Sequence, residues 1–178
     1  PPIMESVART SRLIVLEGCY DKLKARLKDA LGSLKIGAAW DATSKIGPVI
    51  DSDSHQRLLG VIERNKNKIF AQLEMSSEIK NRGYFVPPTI FEESDALSEL
   101  GQVEFFGPLF TLFKVKDLDE AFKVANNVEY ALTGGIFSRN PSSLARAREE
   151  LEVGNLYINR GITGALVARQ PFGGYKLS

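Results

Sequence analysis

The stretch from Gly154 to Gly174 holds the residue types and spacing that most readily do chemistry. A short apolar strand, Leu156 to Ile158, runs into a segment with glycines at 161, 164, 173 and 174, several small residues and a terminal aromatic, Phe172. Glycine reaches positive φ without a steric penalty and lets the backbone approach a ligand closely. A loop of this length with no element of its own is usually functional or disordered, and the strand before it and Pro171-Phe172 after it favour an ordered one. The same glycines also suit a surface connection that only turns corners.

A second candidate is Glu104-Phe-Phe-Gly-Pro-Leu109. On an extended strand, positions 104 and 106 share one side. A carboxylate there can accept from both hydroxyls of a ribose, and a phenyl ring offers a face to a flat heterocycle. Taken alone, the segment also reads as a turn with core aromatics. The other reactive types are isolated. His55, the only histidine, lies on the first turns of a helix and reads as a surface or capping residue. Asp51 and Asp53 read as a helix N-terminus in place of a metal site. Cys19, between Gly18 and Tyr20, reads as a small buried apolar residue. No Walker loop is present, and no G-x-G-x-x-G follows a strand and opens a helix.

Composition narrows the classes. The 178 residues fit one domain that buries roughly 70% of its unfolded surface. Hydrophobic content of 43% and charged content of 25% are those of an ordinary globular protein. Lys plus Arg number 23 against 22 Asp plus Glu, well mixed, so no global field recruits nucleic acid or an anionic membrane. No apolar run reaches the ~20 residues of a membrane span, and no signal-like segment opens the chain. A single cysteine excludes an internal disulfide and suits a reducing compartment, cytoplasm or mitochondrial matrix.

The elements that must position these residues alternate. Arg12 to Glu17 predicts a buried strand. A helix follows with Leu23, Leu27, Ala30, Leu31 and Leu34 on one stripe. Gly37 to Pro48 is a loop, and a helix opening within Asp51 to Ser54 buries Leu58, Leu59 and Ile62. Ile69 to Met75 predicts a strand, and Tyr84 to Phe91 an extended one whose prolines argue for an edge. Phe110 to Val115 is a strand, followed by a helix bearing Leu118, Ala121, Phe122 and Ala125. Leu132 to Ser138 is a strand. Asn140-Pro141 is a cap with proline at the first helical position, opening a helix that buries Leu144, Ala147 and Leu151. Such alternation predicts an α/β fold, a mostly parallel sheet covered on both faces in three αβα layers.

Taken in order, Lys35-Ile-Gly37, Ile46-Gly-Pro-Val-Ile50, Gly83-Tyr-Phe-Val-Pro-Pro-Thr-Ile-Phe91, Glu104-Phe-Phe-Gly-Pro108, Ala125-Asn-Asn127 and Pro171-Phe-Gly-Gly174 resemble the aldehyde dehydrogenase superfamily over nearly the whole chain. Gly154-Asn-Leu-Tyr-Ile-Asn-Arg-Gly161, Thr163-Gly-Ala-Leu-Val167 and Gln170-Pro-Phe-Gly-Gly174 are similar to its 1-pyrroline-5-carboxylate (L-glutamate-γ-semialdehyde) dehydrogenase branch. The resemblance implies a catalytic-domain type of αβα fold and NAD-dependent oxidation of glutamate semialdehyde to glutamate, with an oligomer or a partner domain. It implies that the backbone at Gly164 and Ala165 holds the substrate's α-carboxylate and that Phe172 flanks its aliphatic chain. It further implies that Glu104 holds the nicotinamide ribose and that Phe106 lies near the ring.

The departures set limits. In the family a Gly-Gln-x-Cys motif precedes the strand equivalent to Arg12–Leu16. Here Met4-Glu5 stands for Gly-Gln, and Val7 occupies the position of the nucleophilic cysteine. Valine has no nucleophilic atom. Ala168 stands where the branch resembled has glycine. Residues 1–178 therefore match a catalytic-domain half, with the cofactor-binding half and its general-base glutamate expected before residue 1 and a closing strand after residue 178. Both an excised domain and a degenerate module for binding or assembly fit these residues.

Overall fold

Branched and apolar residues give β1 (Arg12–Leu16), which turns directly into α1 (Glu17–Gly32). The structure, a computed structural model, describes residues 11–38, 40–162 and 172–178. Asp51 caps α2 (Ser52–Arg64), its carboxylate accepting from the Ser54 N–H at 2.8 Å, as the cluster of cap residues requires. β2 (Ile69–Gln72), β3 (Thr89–Glu93) and β4 (Leu109–Val115) follow, with the short α3 (Ser77–Lys80) and α4 (Glu99–Gln102) in their connections. After α5 (Leu118–Asn126) come β5 (Thr133–Ile136), α6 (Pro141–Glu150) and β6 (Asn155–Ile158).

The main sheet has the order β1-β4-β3-β2. β1 and β3 both run parallel to β4, with Arg12 opposite Thr111 and Thr89 opposite Leu109, and only β2 is antiparallel. The mostly parallel sheet expected from the alternation is present. β5 and β6 form a separate parallel pair, Thr133 opposite Asn155, with α6 as the crossover. Side-chain alternation divides the core. Phe91 and Leu109 face Leu58 and Val61 of α2, while Ile90 and Leu112 face Tyr20 and Leu31 of α1.

Four expectations are corrected. The segment ending at Phe91 is not an edge: β3 lies between β4 and β2. Pro87 and Pro88 precede the strand, so their missing N–H groups interrupt no ladder, and the Pro88 carbonyl accepts from Leu73 N–H at 2.9 Å. On α2, Leu59 is exposed and Val61 is buried instead, because Leu58, Val61 and Ile62 make the i, i+3, i+4 stripe and Leu59 lies about 100° round the helix. On α1, Ala30 is also exposed, while its neighbour Leu31 is buried. Cys19 is also exposed: Tyr20 takes the inward position, donating through its hydroxyl to Glu92 at 2.7 Å.

Arg12 shows how β1 is fixed. Its guanidinium donates to the carbonyls of Val124 and Ala125, both at 2.9 Å, at the C-terminal end of α5, where the helix dipole favours a cation. Burial pushes its pKa down to about 10. The strand that follows position 7 is thereby tied to the last turn of α5.

Candidate functional site

The Glu104–Pro108 segment is not a strand. It is a turn between α4 and β4, and Phe106 adopts φ 51°, the left-handed region. For a bulky side chain that conformation costs on the order of 1–3 kcal/mol and persists only where neighbours over-determine it. Exposure nevertheless alternates along the turn. Glu104 and Phe106 are exposed, Phe106 at 63%, while Phe105 between them is buried at 5%. Loss of surrounding water holds the Glu104 carboxyl above the ordinary carboxylate range, although the residue as a whole is exposed.

Helix α2 is the platform under this turn. Phe105 packs in one cluster with Leu58 and Val61. Arg57 donates through Nη2 to the Phe105 carbonyl at 2.8 Å. A Cβ on Gly107 would fall 2.6 Å from one Leu58 methyl and 2.9 Å from the other, so only glycine lets the turn lie this close to the helix. His55 is half-buried and faces the Phe85 carbonyl, 3.1 Å from Nε2. With the proton on Nε2, the ring ties α2 to the segment leading into β3, a link that the surface-or-capping reading did not foresee.

The long loop after β6 is anchored at both ends. Asn159, at φ 55°, ends the strand. Its side-chain amide accepts from Ser138 N–H and donates to Ser138 carbonyl, both at 2.9 Å, continuing the ladder between β5 and β6 with a side chain. Sequence reasoning did not single out Asn159; the available signal was that asparagine is among the few residues that tolerate the left-handed region. At the other end, Gly173 lies directly against the start of β6. Its carbonyl accepts from Asn155 Nδ2 at 3.0 Å, and a Cβ on Gly154 would sit 1.9 Å from that same oxygen. The Lys176 ammonium meets Glu152 at 2.8 Å, and Leu177 N–H donates to the Glu129 carbonyl at 3.1 Å.

Phe172 is exposed at 48% on this returning segment. Gly164 and Ala165, the expected carboxylate contacts, and Val7, at the expected nucleophile position, lie outside the described residues. Among the described residues, hydrogen bonds and core packing join the Glu104–Pro108 turn to α2, and Phe172–Ser178 to β5, β6 and their flanks, with no bond directly between the two groups. A groove of about 450 Å³ lies elsewhere, beside Lys116, Asp117, Lys123 and Asn127, and none of the expected site residues lines it. No described helix is long and apolar enough to cross a membrane.

Known proteins are similar to this chain in sequence and in fold. The 1-pyrroline-5-carboxylate dehydrogenase of Geobacillus sp. (strain WCH70) is 42% identical over 169 residues, 94% of this chain and 32% of that protein. That of Bacillus subtilis (strain 168) is 38% identical over 170 residues, with the same coverage. The crystal structure of proline utilization A from Bdellovibrio bacteriovorus, inactivated by N-propargylglycine, superposes with a TM-score of 0.87 at 45% identity, covering 93% of this chain and 17% of that one. A 1-pyrroline-5-carboxylate dehydrogenase from Thermus with bound NAD gives 0.85 at 40% identity, covering 94% and 32%. The chain thus spans about a third of the length of the curated relatives it matches. The model of the aldehyde dehydrogenase family matches residues 6–178, and the chain belongs to that family.

Proposed function

We propose that this chain is the catalytic-domain portion of a 1-pyrroline-5-carboxylate dehydrogenase-like enzyme, whose whole form oxidises L-glutamate-γ-semialdehyde to glutamate with NAD. The observation that carries this reading is identity near 40% to proteins of that name over 94% of the chain. The Gly154–Gly174 stretch that resembles the same branch supports it. Glu104 and Phe106 fit a nicotinamide riboside: an exposed carboxylate can accept from the two ribose hydroxyls, and an exposed phenyl face can meet the ring. NAD, when bound, supplies the hydride acceptor. The Gly164 and Ala165 N–H groups receive the substrate's α-carboxylate, and Phe172 flanks its methylenes. The remaining surfaces fit a second copy or a cofactor-binding domain, in the cytoplasm or mitochondrial matrix.

Val7 at the nucleophile position favours a second reading, a non-catalytic module retained for binding or assembly. Both readings make the same prediction for the chain on its own. No hydride transfer to NAD occurs in the presence of glutamate semialdehyde, because the side chain at position 7 cannot attack the aldehyde carbon. The check is the rate of NADH formation against a protein-free blank. Turnover above the blank would overturn the placement of Val7 and direct attention to Cys19, which a Cys19→Ser variant then tests.

A further inference from the structure

We propose that Arg57 is the positioning residue for the cofactor-facing turn: its hydrogen bond to the Phe105 carbonyl holds Phe106 in the left-handed conformation that leaves its ring, like the Glu104 side chain, exposed. The inference rests on the reading in which Glu104 and Phe106 meet the nicotinamide riboside.

A phenylalanine at φ 51° relaxes to negative φ unless its surroundings prevent it. Three neighbours fix the residues around it. The Phe105 ring is buried in the cluster with Leu58, Val61 and Phe91. Gly107 lies against the Leu58 methyls. The Pro108 carbonyl accepts from Thr89 N–H at 3.0 Å, tying the turn's exit, just before β4, to the start of β3. These contacts hold both flanks but leave one freedom, the rotation of the peptide plane between residues 105 and 106. Relaxing φ at Phe106 turns that plane and swings the Phe105 carbonyl with it. Arg57 grips this carbonyl at 2.8 Å through a charge-assisted bond. Because Arg57 extends from a helix whose Leu58 and Val61 are fully buried, its base does not yield. The guanidinium therefore acts on the cofactor contact through the backbone, without touching the ligand.

The test uses Arg57→Met, which keeps the aliphatic stem and helix propensity, and Arg57→Lys, which restores a charged donor. The readouts are the intraresidue amide–Hα NOE of Phe106, which is strong at positive φ, and titration with nicotinamide mononucleotide followed at the Glu104 and Phe106 amides. In Arg57→Met the NOE weakens and binding falls by about tenfold, the loss that one charge-assisted hydrogen bond corresponds to. Helical circular dichroism stays unchanged, and Arg57→Lys recovers most of both signals. An Arg57→Met protein with the wild-type NOE and wild-type binding would overturn the proposal. A wild-type protein whose NOE depends on Arg57 but which binds no mononucleotide supports the backbone role and overturns the cofactor reading instead.

Discussion

Gly107→Ala is expected to destabilise the protein by about 1–3 kcal/mol, the range for one extra methyl forced into a close-packed site. The new Cβ would lie 2.6 Å and 2.9 Å from the two methyls of Leu58, a side chain with no exposed surface and therefore nowhere to move. Leu58→Ala alone is expected to cost about 2–5 kcal/mol, through lost burial and the cavity left behind. The double variant should cost less than the two single changes together, by about 0.5–3 kcal/mol, because the methyl added at position 107 fills part of the space that Leu58 vacates. Urea unfolding of the four proteins checks this, and strict additivity would show that the turn does not rest on Leu58. Gly107→Ala should also shift the Glu104 and Phe106 amides, since the turn is lifted from α2.

Glu93→Ala is the second large effect, about 2–3 kcal/mol, since it removes a charged acceptor of several hydrogen bonds. The Glu93 side chain ends β3 at 5% exposure, accepting from Ser94 N–H at 2.9 Å, Asp95 N–H at 3.1 Å and the Lys68 ammonium. Burial pushes its pKa up, but the Lys68 ammonium and the two backbone N–H groups outweigh it and leave the carboxyl below its ordinary value. A depressed folded-state pKa contributes stability that is fully present above the unfolded value of about 4.3 and is lost as pH falls through the folded value. The gap between wild type and Glu93→Ala should therefore be constant from neutrality down to about pH 5 and narrow below pH 4.3. A gap that stays constant through the acid range would show that Glu93 acts through packing alone.

Most of the fold was legible because its signals are local. The Asp51 and Asn140 caps, the stripe on α5 and the branched run of β4 each depend on a few adjacent residues. The misreadings came from information that is not local. Whether prolines mark an edge depends on which strands flank β3, and here the ladder simply starts after them. Whether Cys19 or Tyr20 turns inward depends on Glu92, seventy-two positions away, which receives the Tyr20 hydroxyl. Within the site, the exposed pair Glu104 and Phe106 was legible, but the left-handed turn that presents it was not. That turn is imposed by Arg57 and Leu58, whose sequence positions carry no sign of the contact. Asn159 was hidden likewise, since its partner Ser138 lies on the neighbouring strand.

Under the proposed function, the Gly164 and Ala165 N–H groups receive the α-carboxylate of a glutamate-like ligand. The most direct test is a titration of the ¹⁵N-labelled chain with L-glutamate, the product of the proposed whole-enzyme reaction. Saturable shifts are expected, largest at the Gly164 and Ala165 amides, with smaller ones at Phe172, and none with an amine of equal length that lacks the α-carboxylate. Saturating glutamate with no movement between residues 161 and 174 would contradict it.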